Sequence, residues 1–297
     1  MKIYCVKLRP AGMFSNVNEI VHRLFLAEQQ NYKFLIDWSR SCYRDETRPG
    51  DPWNYYFEDC FPDIPADLDE IETLDNGGEI ASLENNIITP RLQNGHAKSL
   101  LLPRNRDVPA KIISKYLVLK PWLRKKIEGI RHACFDGNTL GLHLRGPGRI
   151  DGGTDLLREK HKLQDGVPYE LYFRFVDRYV FEHAGCRIFA ASDSSTVISE
   201  LSRRYGDRII TYSASRSPFG EMHVRGRKEN AHLTFSPYKL GLDILIEAYL
   251  LSQTTHLIHG NSNVTNFVLS KNPQLPNTYV YEDDPLTKSM RAHEARA

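Results

Sequence analysis

The sequence predicts an α/β protein built on parallel β-sheets. Near the N-terminus, an apolar strand (3–6) leads into a helix with apolar residues at helical spacing (17–27) and then into a second strand (34–38). Strands that alternate with helices in this way usually pair in parallel. The second half runs strand, helix, strand, helix, strand between residues 140 and 212. That order is typical of a Rossmann-like domain.

The bulk composition sets limits on the class of protein. The 297 residues, 41% of them hydrophobic, suit one large domain or two of ordinary size. A net charge of +2 provides no strong field for nucleic acid or a membrane. Five scattered cysteines without C-x-x-C spacing argue against a disulfide framework or a zinc site. With no signal-peptide core and no apolar run of 18 residues, we expect a soluble cytoplasmic protein.

The turn after the first strand is a candidate anion site. It reads Gly12-Met-Phe-Ser-Asn16, and Ser15 or Asn16 is predicted to cap the helix that follows. The free N–H groups of a helix N-terminus attract anions. An ordinary capped helix start explains the same residues.

The polar middle of the chain gives weaker evidence about function. Its aromatic cluster, Trp53 to Phe57, fits either a surface on which a sugar stacks or a small apolar core. A helical stretch at 108–130, broken at Pro121, is predicted to connect the two halves.

The second half carries a regular series of elements and one long basic loop. The loop, 213–237, includes Arg216, Arg225, Arg227 and Lys228, and long loops of this kind often act as lids. Strands are predicted at 140–144, 187–191, 208–212, 256–259 and 278–281, and helices at 169–182, 197–205, 238–252 and 264–269.

A glycine-rich loop follows the strand at 140–144. His143 and Arg145 lie two residues apart, so their side chains point to the same face. The next ten residues hold four glycines, beginning with Gly146, and such a backbone can approach a ligand closely. Because an arginine can direct two donors at phosphate oxygens, this loop predicts a phosphate site. The alternative is a surface turn with a solvated arginine.

Two further strands end in small polar residues. They lead into Asp193-Ser194 and into Gly260-Asn261-Ser262, and we expect both turns to meet the Arg145 loop at one edge of the sheet. Small hydroxyl residues at helix N-termini suit a diphosphate. A carboxylate on the helix at 238–252, Glu247 or Asp243, suits the N–H groups of a guanine. No Asp-x-Asp motif follows any of these three strand ends, so a metal-independent nucleotide-sugar site fits better than a metal site.

These motifs resemble those of the inverting fucosyltransferase superfamily. That group includes the α1,6-fucosyltransferases of nodulation and core type, the α1,2-fucosyltransferases and the protein O-fucosyltransferases. His143-Leu144-Arg145 looks like its His-x-Arg motif, and Phe189–Ser194 is similar to its second motif. The segment Asp243–Ser262 resembles its third motif, and Gly12–Asn16 is similar to its opening loop.

The resemblance implies a GT-B fold, with two Rossmann-like domains facing a cleft. Residues 1–135 would form the acceptor side and residues 136–275 the nucleotide-sugar domain, leaving 276–297 as a tail. It also implies GDP-fucose as donor, a glycan or glycoconjugate hydroxyl as acceptor, inversion, and no metal or other cofactor. Arg145 would bind the β-phosphate, His143 the nucleotide, Glu247 the guanine and Ser262 the pyrophosphate, while Asp193 would shape the pocket.

The sequence departs from the family pattern after Arg145. The α1,6 enzymes continue with a second arginine and an acidic residue, whereas Gly146-Pro-Gly-Arg149 follows here. The linkage class and the catalytic base therefore stay open. Our candidates for the base are Asp151, Asp155 and Glu159, and Arg149 is a candidate to assist Arg145.

Two other functions remain open on the sequence. One is a GT-B glycosyltransferase that uses another GDP- or UDP-sugar, and the other is a non-catalytic sugar- or nucleotide-binding module. A nucleic-acid partner and a transmembrane segment are not expected. The sequence does not decide peripheral membrane association or oligomeric state.

Overall fold

A computed structural model describes residues 3–8, 11–60, 72–73, 105–146, 167, 169–223, 230 and 234–282. Within these ranges, the chain is a mixed α/β protein with two parallel sheets, as the sequence predicts. No helix in the described ranges is both long enough and apolar enough to cross a lipid bilayer.

The first sheet confirms the predicted strand-helix-strand start. Strand β1 (Ile3–Lys7) lies between β2 (Lys33–Asp37) and β3 (Glu72–Thr73), and both neighbours pair with it in parallel. Helix α1 (Met13–Gln29) connects β1 to β2. Its apolar face, including Phe14, is buried in the main core.

The predicted cap of α1 is wrong. The helix begins at Met13 with Gly12 as its cap, so Ser15 and Asn16 lie inside the first turn. Glycine serves here because a tertiary contact replaces the usual side-chain cap. The hydroxyl of Tyr43 accepts a 2.8 Å hydrogen bond from the N–H of Met13. That contact is between residues 30 apart, so the local sequence could not reveal it.

The connecting helical region is split where the proline predicts. Helix α2 (Asp107–Tyr116) ends before Pro121, and α3 (Pro121–Cys134) begins with that proline in its first turn. The N–H groups of the first helical turn have no partner within the helix. Proline, which lacks an N–H, is therefore tolerated at residue 121.

The second sheet has the order β6-β5-β4-β7-β8, with all strands parallel. The chain leaves β4 in one direction and later returns to its other side, so a topological switch point lies between β4 and β7. Ligands bind at such points beyond the carboxyl ends of the strands. The strands are β4 (Thr139–His143), β5 (Arg187–Ala191), β6 (Ile209–Ile210), β7 (His256–His259) and β8 (Asn277–Tyr279).

The helices of the second half follow the predicted order. They are α4 (Tyr169–Glu182), α5 (Ser195–Tyr205), α6 (Pro237–Leu251) and α7 (Asn263–Lys271). Strand β6 is shorter than predicted, and its first predicted residue, Arg208, belongs to a 3-10 turn, Gly206–Arg208. Strand β8 pairs with β7, so the sheet continues past residue 275.

The apolar core joins the two halves of the chain. Phe14 on α1 packs against Phe267 on α7, with ring centroids 4.6 Å apart. Helix α2 also contacts α7, and α3 contacts α6. A second apolar cluster covers the other face of the larger sheet and includes residues of α4 and α5. Contact between α1 and α7 places the first turn of α1 near the switch point.

The aromatic cluster after β2 forms an apolar core. Trp53, Tyr56 and Phe57 are at most 2% exposed. Trp53 stacks on Phe57 at 4.3 Å, and Tyr56 stacks on Tyr238 at 5.6 Å between ring centroids. Rings buried to this extent cannot present a face to a sugar, so the structure favours the core interpretation.

Candidate functional site

A cleft of about 940 Å³ lies at the carboxyl edge of the second sheet. Its walls combine the ends of β4, β5 and β7 with the start of α1, the turn after β2 and the face of α6. The predicted site residues on its wall are Gly12, His143, Arg145, Asp193, Glu247 and Ser262, joined by Asp243.

The strand register brings three of the predicted loops to one level. His143 at the end of β4 pairs with Ala191 on one side and with His259 on the other. Arg145 and Asp193 therefore both lie two residues beyond paired positions, and Ser262 lies three beyond. Parallel pairing thus places these residues side by side, as the sequence predicts.

Arg145 lies on the cleft wall with 24% of its side chain exposed. One of its terminal nitrogens, Nη2, is 3.9 Å from Oε1 of Glu221. His143, from the same strand end, is 7% exposed and also lines the cleft. Arg145 is thus partly shielded from solvent but open to the cavity.

Asp193 holds two loops together. Its Oδ1 accepts the N–H of Gly146 at 2.8 Å, and its Oδ2 accepts the N–H of Glu221 at 2.9 Å. Burial opposes the ionisation of Asp193, but the Arg145 guanidinium and the two N–H groups together hold its pKa below the usual value. Asp193 therefore fixes the Arg145 loop and the loop at 220–223 in one arrangement.

Two carboxylates one turn apart on α6 face the cleft, and each has a cationic partner. Asp243 accepts the N–H of Ser215 at 2.7 Å and an ammonium hydrogen of Lys239 at 2.5 Å. Glu247 pairs through Oε1 with Arg216. Burial raises the pKa of Glu247 to about 8, although contact with Arg216 opposes that change.

Arg216, in the loop that was predicted to act as a lid, is held in place by several hydrogen bonds. Its guanidinium donates to the carbonyl oxygens of Ser192, Tyr212 and Ala214 as well as to Glu247. These bonds fasten the ends of β5 and β6 to α6. Residues 224–229 of the same loop, with Arg225, Arg227 and Lys228, lie outside the described ranges.

Ser262 caps a helix that begins at the cleft. Its side-chain oxygen accepts the N–H of Val264 at 3.2 Å, and Asn263 and Val264 also line the cavity. The N-terminus of α7 thus points its partial positive charge toward the cleft.

Several predicted binding residues form hydrogen bonds with other groups of the protein. Gly146 donates its N–H to Asp193, and the amide of Asn16 donates to the carbonyl oxygen of Ala11 at 3.3 Å. Ser194 is fully buried, donates to the carbonyl oxygen of Pro218 and caps α5. Among the described residues, the cleft wall includes Ser262 but not its neighbour Asn261.

Sequence reasoning missed several cleft residues, including Arg40, Glu221 and His223. Arg40 follows β2, lines the cleft, is exposed, and has no ion pair or hydrogen bond in the described structure. Glu221 and His223 come from the long loop after β6. The position of Arg40 just beyond a parallel strand is a signal that could have found it.

The predicted residues Arg149, Asp151, Asp155 and Glu159 lie outside the described ranges. Within those ranges, no group of three or more His, Cys, Asp or Glu side chains is arranged to hold a metal ion.

Known proteins resemble this chain in their fold and not in their sequence. No protein-family model matches the sequence, and no curated protein matches it. The fold resembles solved fucosyltransferases along nearly the whole chain. The crystal structure of fucosyltransferase NodZ from Bradyrhizobium matches with a TM-score of 0.52 and 15% identity, covering 96% of this chain and 97% of that one.

Two further structures extend this likeness. The NodZ α-1,6-fucosyltransferase soaked with GDP-fucose matches with a TM-score of 0.50 and 15% identity, covering 91% of this chain and 92% of that one. POFUT1 in complex with GDP matches with a TM-score of 0.51 and 11% identity, covering 94% and 98%. Matches at identities this low show a shared fold alone. The activity of this chain depends on the residues of its own site.

Proposed function

We propose that this protein is an inverting fucosyltransferase that transfers fucose from GDP-fucose to a hydroxyl of a glycan or glycoconjugate. The observation that carries the proposal is the position of Arg145, at the switch point of the second sheet and on the wall of the 940 Å³ cleft. The fold shared with NodZ and POFUT1, whose structures include complexes with GDP-fucose or GDP, supports the choice of donor.

The diphosphate is assigned to the space between Arg145 and the N-terminus of α7. A guanidinium can direct paired N–H donors at phosphate oxygens. The helix terminus capped by Ser262 adds partial positive charge from the neighbouring strand end. We propose that these groups supply the charge that a metal ion provides in other nucleotide-sugar enzymes.

The guanine is assigned to Glu247. Its Oε1 is engaged by Arg216, and among the described residues its Oε2 has no hydrogen-bond partner. A carboxylate oxygen that faces a cleft can accept N–H groups from the Watson–Crick edge of guanine. Uracil presents a single ring N–H and no amino group, so the site is expected to favour guanine.

The proposed reaction is a single displacement. The acceptor oxygen bonds to the anomeric carbon of fucose while the bond from that carbon to the β-phosphate oxygen breaks. GDP leaves with the bonding electron pair, and Arg145 stabilises the negative charge that gathers on it. The proton of the acceptor hydroxyl passes to a base, for which Asp151 and Asp155 remain the proposed groups.

The acceptor is assigned to the part of the cleft wall that comes from the first half of the chain. That wall is built by the start of α1 and the turn after β2, including Gly12, Arg40 and Tyr43. This division corresponds to a GT-B arrangement, with residues 1–135 on the acceptor side and residues 136–275 on the donor side.

A donor-hydrolysis assay tests the proposal. The protein would be incubated with GDP-fucose, GDP-mannose, UDP-glucose and UDP-galactose, with Arg145→Ala as a matched control, and the released nucleotide measured. Faster release from GDP-fucose than from the other donors is expected. A preference for a UDP-sugar would instead support a different glycosyltransferase. No release, together with no calorimetric heat from millimolar GDP, would support a non-catalytic module.

A further inference from the structure

The loop after β6 holds a non-glycine residue in a left-handed backbone conformation inside the cleft. Glu221 has a φ of 54°, directly after Gly220 at 79°. A residue with a Cβ adopts this region at a cost in free energy, and such residues concentrate at functional sites. A glutamate at this strained position therefore indicates a functional role for its side chain.

Three side chains hold this loop in place. Ser217 both donates to the carbonyl oxygen of Gly220 at 3.0 Å and accepts its N–H at 2.8 Å. Asn230 donates to the same carbonyl oxygen at 3.0 Å, and Asp193 accepts the N–H of Glu221. A Cβ at Gly220 would come within 2.7 Å of Asp193, so this residue must be glycine for the loop to approach so closely.

The result of these contacts is a buried carboxylate beside Arg145. The side chain of Glu221 is 1% exposed, and its Oε1 lies 3.9 Å from Nη2 of Arg145. At this separation, the two charges attract each other strongly in a partly buried setting. The distance is also longer than a direct hydrogen bond, so the pair does not itself commit that N–H to Glu221.

We infer that Glu221 is a positioning residue that holds the Arg145 guanidinium in the cleft, aimed at the leaving diphosphate of the donor. This inference rests on the proposed function. An arginine side chain has many rotamers, and fixing it before the reaction removes the cost of ordering it in the transition state. Asp193 restrains the backbone of both loops, and Glu221 restrains the side chain of Arg145.

Glu221 is not placed to be the catalytic base. In an inverting displacement, the acceptor hydroxyl approaches the anomeric carbon from the face opposite the leaving phosphate. Glu221 lies beside the group assigned to that phosphate. A carboxylate there serves the leaving group, through Arg145.

The test uses two variants of Glu221 in the full chain. Glu221→Gln keeps the size and removes the charge, whereas Glu221→Gly removes the side chain and also relieves the left-handed strain. Glu200→Gln, which alters an ion pair with the exposed Arg203 on α5, is the matched control. For each variant we would measure kcat, the Kd of GDP and the melting temperature.

We expect kcat to fall at least tenfold in both Glu221 variants and to stay within twofold in Glu200→Gln. The Kd of GDP is expected to stay the same or to decrease, because the lost negative charge lies near the proposed phosphate site. Glu221→Gly is expected to melt at the wild-type temperature or higher. A purely structural role predicts lower melting temperatures and weaker binding together. An unchanged kcat in Glu221→Gln would overturn the inference.

A substrate-free measurement separates this inference from the proposed function. The Nε–H signal of Arg145 in a nitrogen-15 NMR spectrum can be assigned by its loss in Arg145→Lys. Its heteronuclear NOE is expected to be high in the wild type and low in Glu221→Gln. Equal values would refute the positioning role even if GDP-fucose is turned over. A drop in the NOE without any GDP binding would retain the positioning role and reject the proposed donor.

Discussion

Asp193 accepts the N–H of Gly146, the residue directly after Arg145, at 2.8 Å. This bond ties the end of β4 to the end of β5 at the position where the proposed phosphate-binding arginine leaves the sheet. The approach is tight, because a Cβ at Gly146 would lie 2.6 Å from the Cβ of Ser194. The start of the arginine loop is thus held by a neighbouring strand end.

Replacing Asp193 by asparagine should therefore cost stability as well as activity. An amide offers one acceptor oxygen, so one of the two N–H groups, of Gly146 or Glu221, would lose its partner. Leaving a buried donor unsatisfied costs about 1–3 kcal/mol in free energy of unfolding. Denaturant unfolding measures this loss. The control is Asp177→Asn. Asp177 pairs with Arg204, and its side chain is 46% exposed, so this substitution should change the free energy of unfolding by less than about 1 kcal/mol. Equal effects of the two substitutions would contradict the assigned role.

Glu247→Gln should weaken the binding of GDP but not of inorganic pyrophosphate. The substitution replaces one acceptor oxygen by an amide that cannot accept the guanine N–H groups. A loss of one charge-assisted hydrogen bond, about 1.5–3 kcal/mol, corresponds to roughly a 10- to 150-fold rise in the Kd of GDP. Calorimetry with both ligands measures the effect. A parallel loss of pyrophosphate affinity would show that Glu247 acts through the fold, for example through Arg216.

The affinity for GDP should also depend on pH through Glu247. Burial raises the pKa of this carboxyl to about 8, so the ionised form that accepts guanine gains population as the pH rises from 6.5 to 8.5. The Kd of GDP is expected to decrease over this interval in the wild type and to vary less in Glu247→Gln. Identical pH profiles would refute the contribution of this carboxylate to the binding of guanine.

The buried His259 should give the fold an acid-sensitive stability. Its ring is 2% exposed and its Nδ1–H donates to the carbonyl oxygen of Gly260 at 2.9 Å. Burial lowers its pKa to about 4. As the pH falls, His259 therefore becomes protonated in the unfolded chain before it does so in the folded protein. The stabilisation from the neutral, buried ring is complete above pH 6.5 and is lost as the pH falls toward 4. The maximum loss is about 3 kcal/mol.

Denaturant unfolding at several pH values checks this dependence. His259→Gln should lose part of the decline between pH 6.5 and 4, whereas His132→Gln, on an exposed part of α3, should keep it. If His259→Gln shows the same pH slope as the wild type, another group is responsible.

The reaction is proposed to proceed without a metal ion, and turnover should therefore continue in excess EDTA. In the proposed site, Arg145 and the N-terminus of α7 supply the positive charge near the diphosphate. The rate of GDP release from GDP-fucose should stay within about twofold of the untreated rate. A loss of turnover that added Mg²⁺ or Mn²⁺ restores would contradict the metal-independent mechanism.

The sequence was most informative about the sheet and its strand ends. Strand-helix alternation predicted the parallel order, and the parallel order predicted that Arg145, Asp193 and Ser262 meet, because residues after neighbouring strands share an edge. All three line the same cleft. Local patterns suffice for these residues, since each lies within three residues of a strand.

Contacts between distant segments could not be predicted in this way. The pairing of Arg216 with Glu247 joins residues 31 apart, and the capping of Met13 by Tyr43 joins residues 30 apart. Glu221 owes its position to a backbone conformation that Asp193 and Ser217 impose. The sequence of the loop at 213–237 has no periodic pattern. The inward position of one of its carboxylates could therefore not be predicted from it.

The central claim is that Arg145 holds the diphosphate of the donor as it departs. Calorimetry of GDP and of inorganic pyrophosphate with Arg145→Ala, alongside the rate of GDP release from GDP-fucose, tests it most directly. We expect both ligands to lose affinity by at least tenfold and turnover to fall by at least a hundredfold. Wild-type affinity for pyrophosphate together with near-normal kcat/KM in this variant would contradict the claim.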